Sequence, residues 1–156
     1  MEHPLPTIVR DTREKPEHGF RFIKSKSCAG MVEEKLDFGD YAIKDHPNLV
    51  VVERKQSVIE LCGNLGKYRD RFERELQRMV DAGVKRKYIV VEESWYAAQK
   101  KQKFTRMHPN AVFGSIMALQ VKYDIPFHFV GDHDTAHRVT RSLLLNAWKY
   151  HCEGIL

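Results

Sequence analysis

Apolar and polar positions alternate, run together and then recur at helical steps along this chain, and each rhythm predicts an element. Thr7-Ile8-Val9 is a short apolar run that predicts a first strand, followed by the polar turn RDTREKPEHG. Residues 20–23 are expected as a second short strand. Residues 31–43, MVEEKLDFGDYAI, alternate in part and read as one arm of a hairpin. The turn KDHPN supplies Asp, Pro and Asn, all good turn formers. Residues 49–55 form the second arm, and their continuous valines predict a central strand covered on both faces.

Helical spacing begins at Ser57-Val58-Ile59-Glu60, which matches the S-x-x-E capping box. Leu61, Leu65, Tyr68, Phe72, Leu76 and Met79 then recur at three- and four-residue steps as an apolar stripe. Gly63 and Gly66 weaken its first turns, and Gly83 is the expected stop. Residues 88–92 predict another buried strand. After the polar stretch QKKQKFTRMHPN, Pro109 opens a second helix at its first turn, with Val112, Ile116, Leu119 and Tyr123 on one face. IPFHFVG predicts the last strand. Asp132 caps a final helix with Ala136, Val139, Leu143 and Ala147 inward. This order of strands and helices argues for one α/β domain over residues 1–156, with a mixed central sheet flanked by helices on both faces.

Composition narrows the class. Hydrophobic residues make up 42% and charged residues 30% of 156, an ordinary globular balance with room for a core. No apolar run approaches the roughly 20 residues a membrane helix needs, and the N-terminus lacks a basic region followed by an apolar one. Cys28, Cys62 and Cys152 have no metal-ligand spacing, so reduced structural thiols in an intracellular protein are expected. Cys62 reads as a small buried apolar residue. No Gly-rich phosphate loop of the Walker type is present, which leaves nucleotide-driven helicase activity without support. His133 and His137 have the i, i+4 spacing of a zinc pair but lack a third ligand, so they read as surface histidines. A net charge of +5 and a pI of about 9.1 suit a polyanionic partner such as nucleic acid.

The candidate chemistry lies where the valine run ends in Glu53-Arg54-Lys55. Side chains alternate along a strand, so Glu53 and Lys55 share one face and Arg54 takes the other. Hairpin pairing can bring Asp40, of Gly39-Asp40, beside Glu53. Two neighbouring carboxylates repel unless a cation sits between them. A hard divalent ion with oxygen ligands removes that penalty, and Mg²⁺ is the natural choice, with Mn²⁺ able to substitute. Such an ion activates water and stabilises charge on a phosphate, and Lys55 is placed to orient that water or offset the charge. Lys100, Lys101, Lys103 and Arg106 surround Phe104 in a basic loop that suits phosphates and an exposed base. Arg69, Arg71, Arg74 and Arg78, alternating with Asp70, Glu73 and Glu75, read as a solvated face with internal ion pairs, the alternative being that Arg69 or Arg71 near the helix start reaches a phosphate.

Three stretches resemble the XPF/Hef family of structure-specific endonucleases: IVRDTREKP at 8–16, GDY at 39–41 and VERK at 52–55. The resemblance extends over roughly residues 7–150. It implies a restriction-endonuclease-like fold, metal-dependent phosphodiester hydrolysis, and branched, flapped or forked DNA in repair, recombination or replication. It makes Asp40 and Glu53 metal ligands, with the backbone carbonyl of Arg54 as a third. It puts Lys55 beside them as the catalytic cation, and Asp11 at the same cluster from the first strand. Arg13 and Glu14 fall around this centre or on the phosphate. The family's following Asp aligns with Ile59 here. Glu60 comes one residue late and also has a capping task, so its place at the metal stays open. No helix-hairpin-helix region follows, so DNA affinity is expected from the nuclease surface, a homodimer through the last two helices, suggested by the aromatic Trp148 and Tyr150 near the end, or a protein partner. Such a chain would work in the cytoplasm or nucleoid of a bacterium or phage host, or in a eukaryotic nucleus. The alternatives are a non-catalytic DNA-binding or scaffold subunit, and a junction-resolving or restriction-type nuclease of the same fold.

Overall fold

A computed structural model describes residues 2–156. Six strands form one mixed sheet: β1 (Thr7–Asp11), β2 (Gly30–Glu34), β3 (Tyr41–Ile43), β4 (Val50–Lys55), β5 (Arg86–Val91) and β6 (Phe127–Phe129), in the order β2-β1-β3-β4-β5-β6. β2 runs parallel to β1, β3 is antiparallel to both β1 and β4, and β4, β5 and β6 are mutually parallel. The helices are α1 (Val58–Leu65), α2 (Arg69–Asp81), α3 (Trp95–Ala98), α4 (Pro109–Tyr123) and α5 (His133–Cys152).

The valine run is buried on both faces, as its lack of alternation predicts. Val51, Ile89 and Val91 point into a core with Leu61, Phe72 and Leu76 of α1 and α2 and Ile116 of α4. Val50, Val52 and Val90 point to the other face, against Phe20, Tyr41 and the α5 residues Ala136 and Leu144. Fully burying one such aliphatic side chain contributes about 1.5–3 kcal/mol, so β4 anchors both layers. Among the described residues no helix is long and apolar enough to cross a membrane.

Local signals act where the sequence puts them. Ser57 Oγ accepts the Glu60 amide, while Glu60 Oε2 accepts the Gln56 amide. Gly66 ends α1, splitting the expected long helix in two. Asp132 accepts from the Thr135 amide at the start of α5, and His108 caps α4 before Pro109.

Two expectations are corrected. Residues 31–43 are not a single hairpin arm: 30–34 form the outer strand β2, parallel to β1, and only 41–43 pair with β4. Residues 20–23 form no strand. Phe20 and Phe22 are buried and Arg21 and Ile23 exposed, so the alternation is real. The segment lies against α5, where His137 Nε2 meets the Arg21 carbonyl at 3.0 Å.

Candidate active site

Asp40 sits where three strands meet. Its amide donates to the Val52 carbonyl at 3.0 Å, and its carbonyl accepts the Asp11 amide at 2.8 Å. Gly39 permits this turn. Its φ is +64°, and a Cβ there would lie 2.5 Å from Val51 Cγ1 and 3.1 Å from the Val52 carbonyl oxygen. Side chains disfavour that left-handed backbone, and there is no room for one. The glycine of the Gly-Asp pair thus lets the aspartate approach β4 closely.

The three charges ending β4 separate as alternation requires. Lys55 Nζ lies 3.5 Å from Glu53 Oε1 and 5.6 Å from the centre of the Phe72 ring, on the α1–α2 face. Arg54 crosses to the α5 face. Its Nε and Nη2 donate to Glu14 at 3.1 and 2.7 Å, and its Nη1 donates to Glu92 at 3.2 Å. Glu92 in turn meets His133 Nδ1 at 2.8 Å. Buried charge is tolerated when it is paired and hydrogen-bonded in this way.

The Lys55 carbonyl accepts from the Glu92 amide, so the backbones of Glu53 and Lys55 face β5. By strand alternation the Arg54 backbone faces Asp40, and its amide donates to Asp40 Oδ2 at 2.8 Å. The Arg54 carbonyl opens on the same side.

Charge at this centre is unbalanced. Burial, then repulsion from Glu53 and Glu14, pushes the Asp40 carboxyl well above the usual carboxylate range, and the Arg54 amide and Lys55 only partly offset this. Glu53 Oε2 is buried and has no hydrogen-bond partner. Burial works to lower the Lys55 ammonium, but Glu53, Glu60, Asp40 and Glu75 outweigh it and hold it raised. Lys55 is therefore a cation at neutral pH, not a free base. Two facing carboxylates, one with an orphaned oxygen, beside an inward backbone carbonyl make an oxygen-rich donor set that fits a hard divalent ion. Among the described residues no three His, Cys, Asp or Glu side chains form one ligand set, so this fit rests on two carboxylates and the main chain.

The centre opens into two adjoining cavities of about 320 and 350 Å³ that share Arg13, Asp40, Glu53 and Lys55. Asp11 lines the first, but its oxygens are engaged. Oδ2 accepts Arg13 Nε at 2.7 Å and the Arg13 amide at 3.1 Å, and Oδ1 accepts the Leu36 amide at 2.8 Å. Burial works to raise its carboxyl, yet these hydrogen bonds outweigh it and hold it low. Asp11 thus fixes Arg13, whose side chain is 65% exposed at the cavity mouth. Glu14 lines the second cavity and clamps Arg54. Glu60 lines the second cavity and completes the capping box with Ser57.

Of the basic loop, Lys100, Lys101, Lys103 and Arg106 line neither cavity. Lys101 Nζ donates to the Thr105 and Met107 carbonyls, and Lys100 lies over the Tyr96 ring at 4.1 Å. Lys103 and Arg106 make no ion pair among the described residues, and Phe104 is 95% exposed with φ +61°. Met107 packs beside Gly66, so the loop flanks α1.

Beyond Arg71, weighed as an alternative phosphate contact, sequence reasoning missed what α1 and α2 contribute. Asn64, Tyr68, Arg71 and Glu75 line the first cavity. The buried Asn64 Oδ1 has no partner. Burial and Glu53 push the Glu75 carboxyl up. The Arg71–Glu75 i, i+4 step was visible but blends into the charge alternation of α2. Arg69 and Glu73 do pair, at 2.9 Å. His133 meets Glu92 and His137 meets the Arg21 carbonyl.

The ERCC4 domain family matches residues 10–143. Two solved structures are similar: XPF from Aeropyrum pernix in complex with DNA, and XPF from Aeropyrum pernix. Each has a TM-score of 0.67 and 21% identity, covering 92% and 89% of this chain. The chain spans 66% and 60% of their lengths. No curated protein sequence matches it.

Proposed function

The chain belongs to the ERCC4 domain family, and from that premise we propose that it is a Mg²⁺-dependent endonuclease that hydrolyses phosphodiester bonds in branched, flapped or forked DNA. The observation that carries this reading is the buried Asp40–Glu53 pair, with Glu53 Oε2 lacking a donor and Lys55 alongside. DNA as the polyanion is supported by the basic charge and by the DNA complex of a protein with the same fold.

Asp40, Glu53 and the Arg54 carbonyl would hold the ion. When bound, Mg²⁺ lowers the pKa of a coordinated water and stabilises charge developing on the phosphate. Lys55 is held as an ammonium by Glu53, so it donates hydrogen bonds to the attacking water or the phosphate oxygens. Arg13, whose Nε and Nη2 are anchored on Asp11 and the Leu36 carbonyl at the mouth, reaches towards the phosphate with its remaining Nη1. Glu14 and Glu92 grip the Arg54 side chain so that its backbone stays turned to Asp40.

The test is cleavage of flap, fork, four-way and linear duplex DNA with and without Mg²⁺, beside a calorimetric titration with Mn²⁺. Asp40→Ala or Glu53→Ala should remove cleavage by at least about 10²–10³-fold, the scale of losing one electrostatic catalytic group, while DNA binding persists. Equal cleavage in variant and parent refutes the assignment. A homodimer is supported by apolar exposure on α4, at Phe113, Met117 and Val121 beside the edge strand β6. Of Trp148 and Tyr150, the two residues that suggested a dimer in the sequence, Trp148 packs on the core and donates to the Pro4 carbonyl, while Tyr150 is exposed. Sedimentation of Val121→Glu against the parent would expose such a pair.

A further inference from the structure

A larger cavity than the carboxylate cleft lies elsewhere. It is a groove of about 780 Å³ between the N-terminal residues 3–6 and the outer side of α5. Its apolar lining comes from Pro4, Leu5, Pro6, Val139, Leu145 and Trp148. The wall is fixed in place. Trp148 Nε1 donates to the Pro4 carbonyl at 2.7 Å, and the Ala29 amide donates to the Pro6 carbonyl at 2.9 Å. The prolines have set φ values and no N–H of their own, so the arm has little freedom to collapse into the trough.

The rim carries one sign of charge. Arg138, Arg141 and Lys149 line the groove and no Asp or Glu does. None of the three forms an ion pair among the described residues. Arg141 is oriented by donating to Ser25 Oγ and Ser27 Oγ at 3.1 and 3.0 Å. Spacing along α5 places Arg138, Arg141 and Leu145 on one helical face. The buried cation Arg54, by contrast, has two carboxylates, and Glu73 pairs with both Arg69 and Lys122. Three free cations beside an apolar trough call for a ligand that is both acidic and apolar.

Nucleic acid meets only the first requirement. The trough offers proline, leucine and valine where a phosphate track would need donors. It also lies on the sheet face packed by α5, opposite the face to which Glu53 and Lys55 point. We propose that this groove docks a short acidic and apolar segment of a partner protein. Aliphatic or aromatic side chains fill the trough, and Asp or Glu carboxylates meet Arg138, Arg141 and Lys149. Hydrogen bonds from a prepositioned guanidinium to a carboxylate are the strong kind. This surface would recruit the protein to an assembly without occupying its hydrolytic cleft.

The test uses the full chain and a random displayed peptide library, counter-selected on the double variant Arg138→Glu, Lys149→Glu. Both residues are exposed, and circular dichroism checks that the variant folds. Enriched peptides should combine Asp or Glu with Leu, Phe or Trp. A fluorescein-labelled peptide of that kind should bind with an anisotropy change and weaken by about tenfold or more on the double variant. It should weaken similarly when its Asp residues become Asn or its apolar residues become Ser. A single-stranded oligonucleotide should not displace it, and DNA cleavage by the double variant should match the parent. Any one of three results overturns the proposal: no enrichment over the charge-reversed variant, a neutral consensus, or displacement by the oligonucleotide, which would assign the groove to nucleic acid.

Discussion

At the scale of single residues, the candidate centre is a place where the fold stores electrostatic repulsion. Asp40 has its pKa raised by burial and by Glu53. A raised acid contributes stability below its unfolded value of about 3.8 and loses it as pH rises through the folded value. At neutral pH the metal-free protein therefore carries the destabilising cost of the raised Asp40 pKa. Asp40→Asn should raise its melting temperature there, each kcal/mol of relieved repulsion showing as about 2–4 °C in a domain of this size. Mg²⁺ or Mn²⁺ should raise the melting temperature of the parent and leave the variant unmoved; scanning calorimetry at pH 7 with and without metal reads both. Gly39→Ala makes the opposite prediction. Its left-handed φ alone costs about 1–2 kcal/mol, and the clash with the Val52 carbonyl must displace the turn. The variant should melt lower than the parent and lose metal affinity as well, because Asp40 moves with its neighbour. A Gly39→Ala protein with unchanged manganese binding by calorimetry would mean that the turn does not set the carboxylate.

At the scale of elements, the sequence is legible wherever local chemistry dictates the outcome. Ser57, Pro109, Asp132 and Gly83 start or stop helices by satisfying or sparing backbone groups within one turn, so their neighbours in sequence suffice. Phe20 and Phe22 show the limit of that reading. Period-two burial reports that alternate side chains face a core, and it does not say whether a strand or α5 lies alongside. The division of 31–43 was hidden for a related reason, since β2 pairs parallel with β1 through a register that no turn encodes. The Gly-Asp and Glu-Arg-Lys stretches stood out because their charges interrupt apolar runs. Glu75 and Asn64 did not, and Arg71 reads first as part of a solvated face, because whether a polar helix face meets solvent or a cavity depends on how α2 docks. Glu73 marks that docking. It accepts from Arg69, Lys122 and Tyr123, and these bonds hold its carboxyl down to about 2. The stability it supplies is present above the ordinary value of 4.5 and is lost as pH falls towards 2. In a partly solvated setting, Glu73→Gln should cost about 1 kcal/mol at pH 7. The difference between variant and parent in urea unfolding should vanish near pH 2. A gap that persists there would assign the effect to packing between α2 and α4.

At the scale of the whole molecule, charge and exposure are distributed in a way that separates tasks. The acidic centre opens between α1, α2 and the ends of β3 and β4, and the flanking loop carries cations that serve no internal pair. Within that loop the four basic residues divide. Lys101 holds the Thr105 and Met107 carbonyls, and Lys100 covers Tyr96, so these two shape the loop. Lys103 and Arg106 form no ion pair among the described residues, and Phe104 projects beside them. On duplex DNA, each phosphate that is no longer neutralised should reduce the slope of log affinity against log salt by about 0.9. Lys103→Ala with Arg106→Ala should therefore flatten the slope by about 1.8 if both side chains meet phosphates, whereas Lys100→Ala should change it little. Phe104→Ala should leave the slope alone and weaken binding to a substrate with an exposed base by about 1–3 kcal/mol, the range for unstacking one base from an aromatic ring. Fluorescence anisotropy over a salt series, on linear duplex and on a fork, distinguishes these effects. A slope that stays fixed while Lys103 and Arg106 are removed would move the DNA path away from α1. It would leave Arg13 and Arg71 at the cleft as the cations that meet the backbone.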